Sequence, residues 1–169
     1  DKKKVLLFKK YLQRRSKNEP IAYILGEKEF WSSAFYVNNN TLIPRPETEL
    51  LVDKLLEIFK NKNISILDIG TGSGCIIVSL LNNLKSSIGF GVDISKDAIS
   101  IATKNSIKHE LANRIKFSTL SFEKIFNKKF DLIVSNPPYI ERKDIKNLSD
   151  DIKKYEPRMA LDGGNDGLD

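Results

Sequence analysis

Apolar residues recur at helical spacing near the start of the chain, with lysines and arginines between them. This spacing predicts an amphipathic helix over residues 4–15, with the apolar positions on one face: Val5, Phe8 and Leu12. Proline is favoured at a helix start and glycine at a helix end, so Pro20 and Gly26 predict a short second helix. We expect residues 1–25 to be the end of a helical N-terminal domain.

Short β-favouring runs follow, at residues 30–31, 35–37 and 41–43. The asparagines at 38–40 tolerate positive φ angles and therefore predict a hairpin turn. We expect residues 26–45 to form a β-hairpin linker. Pro46 is well placed as the first residue of the next helix.

From residue 64 onward, continuous apolar runs alternate with helical patterns. The predicted strands are 64–69, 88–92, 115–118 and 130–135, and the predicted helices between them are 75–84 and 96–108. Such apolar runs are typical of parallel strands covered on both faces. We predict an α/β fold, a doubly wound and mostly parallel sheet of Rossmann-like type, over residues 46–169. Its fourth strand would be left unpaired on one side, so we expect this core to be incomplete at its C-terminal end.

Composition and charge limit the class of protein. The chain has 169 residues, of which 40% are hydrophobic and 30% charged, which fits a globular domain and not a membrane-bound or disordered one. With a single cysteine, Cys75, it forms no internal disulfide, and we expect a cytoplasmic protein. The net charge of +6 is concentrated in residues 1–15, so weak nucleic-acid contact is expected only through that basic helix.

A glycine-rich turn, GTGSG at 70–74, lies between the first predicted core strand and an apolar helix. Such a turn lets a ligand lie against bare backbone at a helix N-terminus. Its spacing differs from the GxGxxG of dinucleotide-binding enzymes. Asp93 ends the next strand, 23 residues after Gly70, where an acidic residue accepts hydrogen bonds from ribose hydroxyls. The predicted cofactor-binding residues are Gly70, Thr71, Gly72, Ser73, Gly74 and Asp93.

The motif SNPPYI, at 135–140, stands at the end of the fourth predicted strand, which we expect beside the first. Pro137 favours an extended conformation at Asn136, so the side-chain and backbone carbonyls can both point at one NH2 group. Tyr139 adds a flat wall. We predict catalytic roles for Asn136, Pro137 and Tyr139. Asn136 is also expected to contact the cofactor, and Pro138 to contact the substrate together with the three catalytic residues.

Together these motifs resemble those of S-adenosylmethionine-dependent methyltransferases that act on planar nitrogens. Three further segments narrow the resemblance: GEKEFW at 26–31, LIPRPETELLVD at 42–53 and EPRMALDGGNDGL at 156–168. They are similar to the bacterial and organellar family that methylates the glutamine amide of peptide chain release factors. The resemblance implies S-adenosylmethionine as the cofactor and release factors as the protein partners.

The resemblance also implies individual roles. The turn at 70–74 is expected to line the methionine part of the cofactor, Asp93 to bind the ribose, and residues 136–139 to hold the glutamine. Three residues are expected to close the site from above: Arg45, Glu47 and Thr48. The family usually has an acidic residue by the adenine, where this chain has Leu120 and Ser121, so backbone groups or Phe122 are the alternatives.

Other interpretations remain open at this point. The same NPPY chemistry and the basic arm suit a nucleobase methyltransferase acting on exocyclic amines of adenine or guanine in RNA or DNA, although the rest of the chain is neutral. A noncatalytic module that binds cofactor or partner is the third interpretation. No membrane partner is expected, because the apolar stretches are far shorter than the ~20 residues needed to cross a bilayer. No metal is expected either, because His109 stands alone in a polar helical stretch that we place on the surface. The pattern does not predict an oligomeric state.

Overall fold

The computed structural model describes residues 1–125 and 128–168. The first elements are α1 (Lys2–Arg15), α2 (Ile21–Leu25), β1 (Glu27–Phe30), β2 (Ser33–Tyr36) and α3 (Pro46–Ile58). They are followed by β3 (Ser65–Ile69), α4 (Cys75–Asn83), β4 (Ile88–Asp93), α5 (Lys96–Lys108), β5 (Ile115–Thr119), β6 (Leu132–Ser135) and α6 (Asp150–Tyr155). Residue 169, the end of the predicted core, lies outside the described residues.

Among these residues, the main sheet has four parallel strands in the order β5-β4-β3-β6. The predicted α/β class with a parallel sheet is confirmed, and β6 pairs with β3 as expected. Ile66 of β3 is fully buried, and α4 buries almost every side chain against the sheet. The contact between α4 and β4 is so close that a Cβ atom on Gly89 would lie 2.6 Å from Ile77 Cδ1. Glycine at this strand position therefore allows the helix to pack.

The small antiparallel hairpin differs from the prediction. Its strands, β1 and β2, are joined by a two-residue turn at Trp31 and Ser32, which have φ angles of 49° and 54°. Two consecutive positive φ angles match the twist of a two-residue hairpin, and this register buries both Phe30 and Phe35 in the main core. The prediction that residues 38–40 form the turn of the hairpin is therefore wrong.

The asparagines at 38–40 form a different turn. The backbone N–H of Thr41 donates to the carbonyl of Asn38 at 3.0 Å, and the Asn38 side chain accepts from the N–H of Asn40. Residues 41–43, predicted as a β run, form no strand either. Two of their backbone groups bond to side chains: the Thr41 carbonyl accepts from Tyr23 Oη at 2.6 Å, and the Ile43 N–H donates to the Glu156 carboxylate at 3.2 Å.

The basic residues at the start of the chain lie on α1. In α1 no residue is buried, and the apolar face of Val5, Phe8 and Leu12 is exposed. Among the cations of α1, Arg14 forms an ion pair with Glu19 and also donates to the Tyr23 carbonyl. Gly26 ends α2 in the left-handed conformation, as predicted. Across the part of the chain that the structure describes, no helix has the length and apolarity needed to cross a bilayer.

A buried amide fastens the hairpin to the core. Asn105, on α5, has no exposed surface, and its side chain accepts from the Tyr36 N–H at 2.7 Å. Its NH2 group donates to the Tyr36 carbonyl at 3.0 Å and to the Ser73 carbonyl at 2.8 Å. One side chain thus joins β2, α5 and the glycine turn.

We predict that Asn105→Ala lowers the free energy of unfolding by about 2 to 4 kcal/mol, because it leaves the buried Ser73 carbonyl and the part-buried backbone groups of Tyr36 without these partners. The matched control is Asn83→Ala, which removes an exposed asparagine that bonds only within its own helix. That control should change the unfolding free energy by no more than about 0.5 kcal/mol. Urea unfolding followed by circular dichroism measures both, and equal effects would contradict the role of Asn105.

Candidate functional site

Two adjoining cavities open at the carboxyl ends of the central strands. In the β3–β6 pairing, Ile69 lies opposite Ser135, so Gly70 and Asn136 leave the sheet side by side. In an open α/β sheet this is the switch point, where the strand order reverses and ligands bind. The glycine-turn cavity, of about 370 Å³, lies over residues 69–73. The Tyr139 cavity, of about 490 Å³, lies on the other side of the NPPY loop, residues 136–139.

The glycine turn and one carboxylate form the floor of the first cavity. Gly70 and Gly72 have φ angles of 66° and 54°, a conformation that glycine adopts without strain. Asp93 fixes the turn, because one carboxylate oxygen accepts from the Gly72 N–H at 3.0 Å and the other from the Ser95 N–H at 2.9 Å. Most of the predicted cofactor residues line this cavity: Gly70, Thr71, Gly72, Ser73, Asp93 and Asn136.

Gly74 does not line the cavity with the others. Its φ angle is 79°, it caps α4, and a Cβ atom there would lie 3.2 Å from the Ala102 Cβ. The contact of Gly74 with the cofactor stays a prediction; in the fold, glycine at this position lets the turn pack against α5. Neighbouring Cys75 is buried, as expected of a small core residue.

Asp68, at the end of β3, is a functional candidate that the sequence analysis missed. It is buried beneath the glycine turn, where Oδ2 accepts from Thr71 Oγ1 at 2.7 Å. Within the described residues Oδ1 has no hydrogen-bond partner. Burial raises the pKa of Asp68 to about 7, with a smaller contribution from the nearby charge of Asp93. The sequence does contain a signal for Asp68: a charged residue stands in an otherwise apolar strand, close to the glycine turn.

The Tyr139 cavity is a largely apolar slot next to the first cavity. Its aliphatic walls are Leu42, Leu51, Ile140, Leu148, Ile152 and Leu161. Asn136 and Pro137 line both cavities, whereas Tyr139 lines only this one and Pro138 only the other. The NPPY loop is therefore the wall between the two spaces, and the four predicted residues lie together.

The three residues expected to close the site lie around the start of α3. Arg45 and Thr48 line both cavities, and Glu47 lines the Tyr139 cavity. Arg45 is held by Glu156, whose carboxylate accepts from Arg45 Nη2 at 2.6 Å and from the Ile43 N–H at 3.2 Å. Glu156 carried no predicted role, because its partners lie more than a hundred residues earlier in the chain.

At the far end of the glycine-turn cavity, Leu120, Ser121 and Phe122 form part of the wall, and the Phe122 side chain is exposed. His109 was expected on the surface but is half-buried: its ring stacks on Phe35 with centroids 4.7 Å apart. Burial lowers the pKa of His109. In the residues that the structure describes, no group of three or more histidine, cysteine or acidic side chains could hold a metal ion.

Comparisons with known proteins agree with this geometry. A family model described as the methyltransferase small domain matches residues 46–162. The chain belongs to this methyltransferase family. The solved structure of the hMettl16 catalytic domain, in complex with the MAT2A 3'UTR hairpin 6, shares the methyltransferase fold. That comparison has a TM-score of 0.58 and 19% identity, and it covers 86% of this chain and 52% of that one.

Two curated relatives are more similar in sequence. The methyltransferase chain is 44% identical to the release factor glutamine methyltransferase of Bradyrhizobium diazoefficiens, a match that covers 94% of this chain and 55% of the relative. It is 42% identical to a bifunctional methyltransferase of Rickettsia typhi, over 96% of this chain and 35% of the relative. The chain therefore spans about half the length of the first relative and about a third of the second.

The raised pKa of Asp68 in this methyltransferase domain predicts a pH-dependent stability. Because the folded state holds the Asp68 proton up to about pH 7 and the unfolded state releases it near pH 4, stability from this group falls as the pH rises between those values. Asp68→Asn removes this loss. Relative to the unmodified protein, the variant should gain about 2 kcal/mol of unfolding free energy between about pH 5 and pH 8.

Urea unfolding at the two pH values measures this gain. Asp97→Asn, which changes an exposed carboxylate in the first turn of α5, is the control and should show the same difference from the unmodified protein at both pH values. A gain for Asp68→Asn that shrinks as the pH rises would contradict the neutral, buried state of this carboxyl group.

Proposed function

We propose that the protein containing this chain transfers a methyl group from S-adenosylmethionine to the side-chain amide nitrogen of a glutamine in peptide chain release factors. The observation that carries the proposal is the shared wall: Asn136 and Pro137 line both cavities. A ligand over the glycine turn and a group entering the Tyr139 cavity would meet at these two residues. The name of the Bradyrhizobium relative supports a glutamine amide as the methyl acceptor.

The glycine-turn cavity fits the cofactor. A Cβ atom on Gly70 would meet no other atom within 4 Å, so open space lies above the turn, and the cavity volume falls within the usual range for small-molecule sites. The Asp93 oxygens each keep a lone pair for a ribose hydroxyl beyond the backbone bonds they accept. Phe122 offers a flat face for the adenine. When bound, S-adenosylmethionine supplies a methyl group on a cationic sulfur.

The NPPY loop orients the amide. An amide nitrogen is a poor nucleophile because its lone pair is delocalised into the carbonyl group. Two acceptors, the Asn136 side-chain oxygen and the Pro137 backbone carbonyl, would take the two amide hydrogens and aim the nitrogen toward the glycine-turn cavity. Correct positioning alone contributes on the order of 7 to 11 kcal/mol in well-oriented intramolecular reactions, so the site functions without a strong base.

The Tyr139 cavity suits the rest of the glutamine side chain. Its aliphatic walls match the two methylene groups, and Tyr139, which is 69% exposed, lies where the polypeptide would enter. Enclosure by these walls keeps water away from the amide and strengthens the hydrogen bonds that orient it. Arg45 and Glu47 provide the charged groups at the α3 side of this cavity.

We expect Asn136→Ala to lower kcat by at least about a hundredfold while the cofactor Kd changes by less than about threefold, because the lost contact acts on the amide. The paired variant, Asp93→Asn, should show the reverse and raise the cofactor Kd by about tenfold, because it weakens contacts to the ribose. Methyl transfer to a purified release factor gives kcat, and calorimetric titration gives Kd. A loss of cofactor affinity in Asn136→Ala that exceeds its loss of turnover would contradict the assigned role.

The alternative function is methylation of an exocyclic amine in RNA or DNA. One observation favours it: the cations of α1 other than Arg14 are exposed, and none of them forms an ion pair with another described residue. The full-length protein, incubated with methyl-labelled cofactor and either a release factor or bulk RNA, separates the two functions. Label in the release factor at a glutamine supports the proposal, and label confined to RNA refutes it.

A further inference from the structure

We propose that Glu156 is a positioning residue that sets the shape of the substrate entrance by holding Arg45 in place, an inference that rests on the proposed function. Three segments are involved. The strap is residues 41–45, the NPPY loop is residues 136–139, and the brace is residues 156–167. The brace touches both of the others, and these contacts link the two walls between which the amide would enter.

At its first residue the brace holds the strap. The Glu156 side chain is 1% exposed, and its two carboxylate oxygens are divided between the Ile43 N–H and the guanidinium of Arg45. A buried carboxylate without such partners would be strongly unfavourable. The strap therefore has one low-energy position, in which Arg45 stays against Glu156.

Farther along, the brace holds the NPPY loop. The Ile140 carbonyl accepts from the Gly163 N–H at 2.9 Å, and the Ile140 N–H donates to the Leu161 carbonyl at 3.2 Å. The backbones are so close that a Cβ atom on Gly163 would lie 2.9 Å from the Pro138 oxygen, and one on Gly167 would lie 2.6 Å from the Tyr139 oxygen. Because there is no room between brace and loop, the loop cannot move relative to Glu156 without breaking these bonds.

Arg45 is the group through which Glu156 acts. Arg45 lines both cavities, and its guanidinium has five N–H donors, of which Glu156 takes only part. The remaining donors stand where the backbone of an entering polypeptide would pass. Peptide carbonyls on either side of the target glutamine are the acceptors that match them. Glu156 neither lines a cavity nor reaches the amide, so its effect on the substrate passes through Arg45.

The test compares Glu156→Gln with Arg45→Ala and with the double variant in the full-length protein. Glu156→Gln keeps an oxygen that accepts from the Ile43 N–H but loses the charge that holds Arg45. The KM of this variant for the release factor should rise at least about tenfold, and its kcat should fall by a smaller factor. Its cofactor Kd should stay within about twofold of that of the unmodified protein. Since Glu156 acts through Arg45, the double variant should be no worse than Arg45→Ala alone.

Two further variants keep the test decisive. Arg45→Lys keeps a cation beside Glu156, so the buried carboxylate is not left unpaired. A lysine cannot pair with Glu156 and also donate to the substrate in the geometry of an arginine, so the KM of this variant should also rise. Glu57→Gln breaks an exposed ion pair on α3, the helix that follows Arg45, and should leave KM unchanged. Additive losses in the double variant, or a cofactor Kd that rises in step with KM, would overturn the proposal.

The outcome is separable from that of the proposed function. Unmodified protein that methylates RNA and not the release factor refutes the glutamine substrate. The same variants are then compared with RNA as the methyl acceptor, and an unchanged KM for Glu156→Gln on whichever acceptor the unmodified protein uses overturns the positioning role.

Discussion

The parallel pairing of β3 with β6 is the constraint on which the site depends. The two strands are separated by two helices and two other strands in the chain, yet Ile69 lies directly opposite Ser135, and Ser135 Oγ donates to the Ile69 carbonyl at 2.8 Å. This register brings the end of the glycine turn and the start of the NPPY loop to one edge of the sheet. A slip of one residue would turn Asn136 to the opposite face, so the chemistry of the site is inseparable from this pairing.

The walls above that edge are irregular backbone and depend on buried polar side chains. Asn105 supplies the hydrogen bonds that a neighbouring strand would otherwise give to Tyr36, and Glu156 does the same for Ile43. Both residues are buried, so their bonds are not exchanged for bonds to water. The hairpin and the strap are held against the rest of the fold in this way.

The sequence predicts the core of this structure well and its borders less well. Strand and helix periods from residue 64 onward depend on local residue types, and the structure confirms them. The hairpin turn was misplaced because asparagines favour turns in general, whereas the register is decided by the burial of Phe30 and Phe35. Glu156 was missed for a similar reason: nothing near it in the chain indicates that it pairs with Arg45. The residues that line the site were predictable from motifs, but the residues that hold those motifs in place were not.

The two cavities also differ in how far apart in the chain their walls lie, and this difference bears on the choice of substrate. The floor of the glycine-turn cavity comes from the ends of β3 and β4, two strands that are consecutive in the chain. The Tyr139 cavity is built from the strap, α3, the NPPY loop and the brace, which are far apart in the chain. In the proposed reaction the NPPY loop would bind either kind of planar NH2 group, so the loop by itself would not distinguish an amide from a nucleobase. Discrimination must come from the shape and polarity of the slot around it, and aliphatic walls such as Leu51, Leu148 and Ile152 favour a narrow methylene chain over a broad aromatic base.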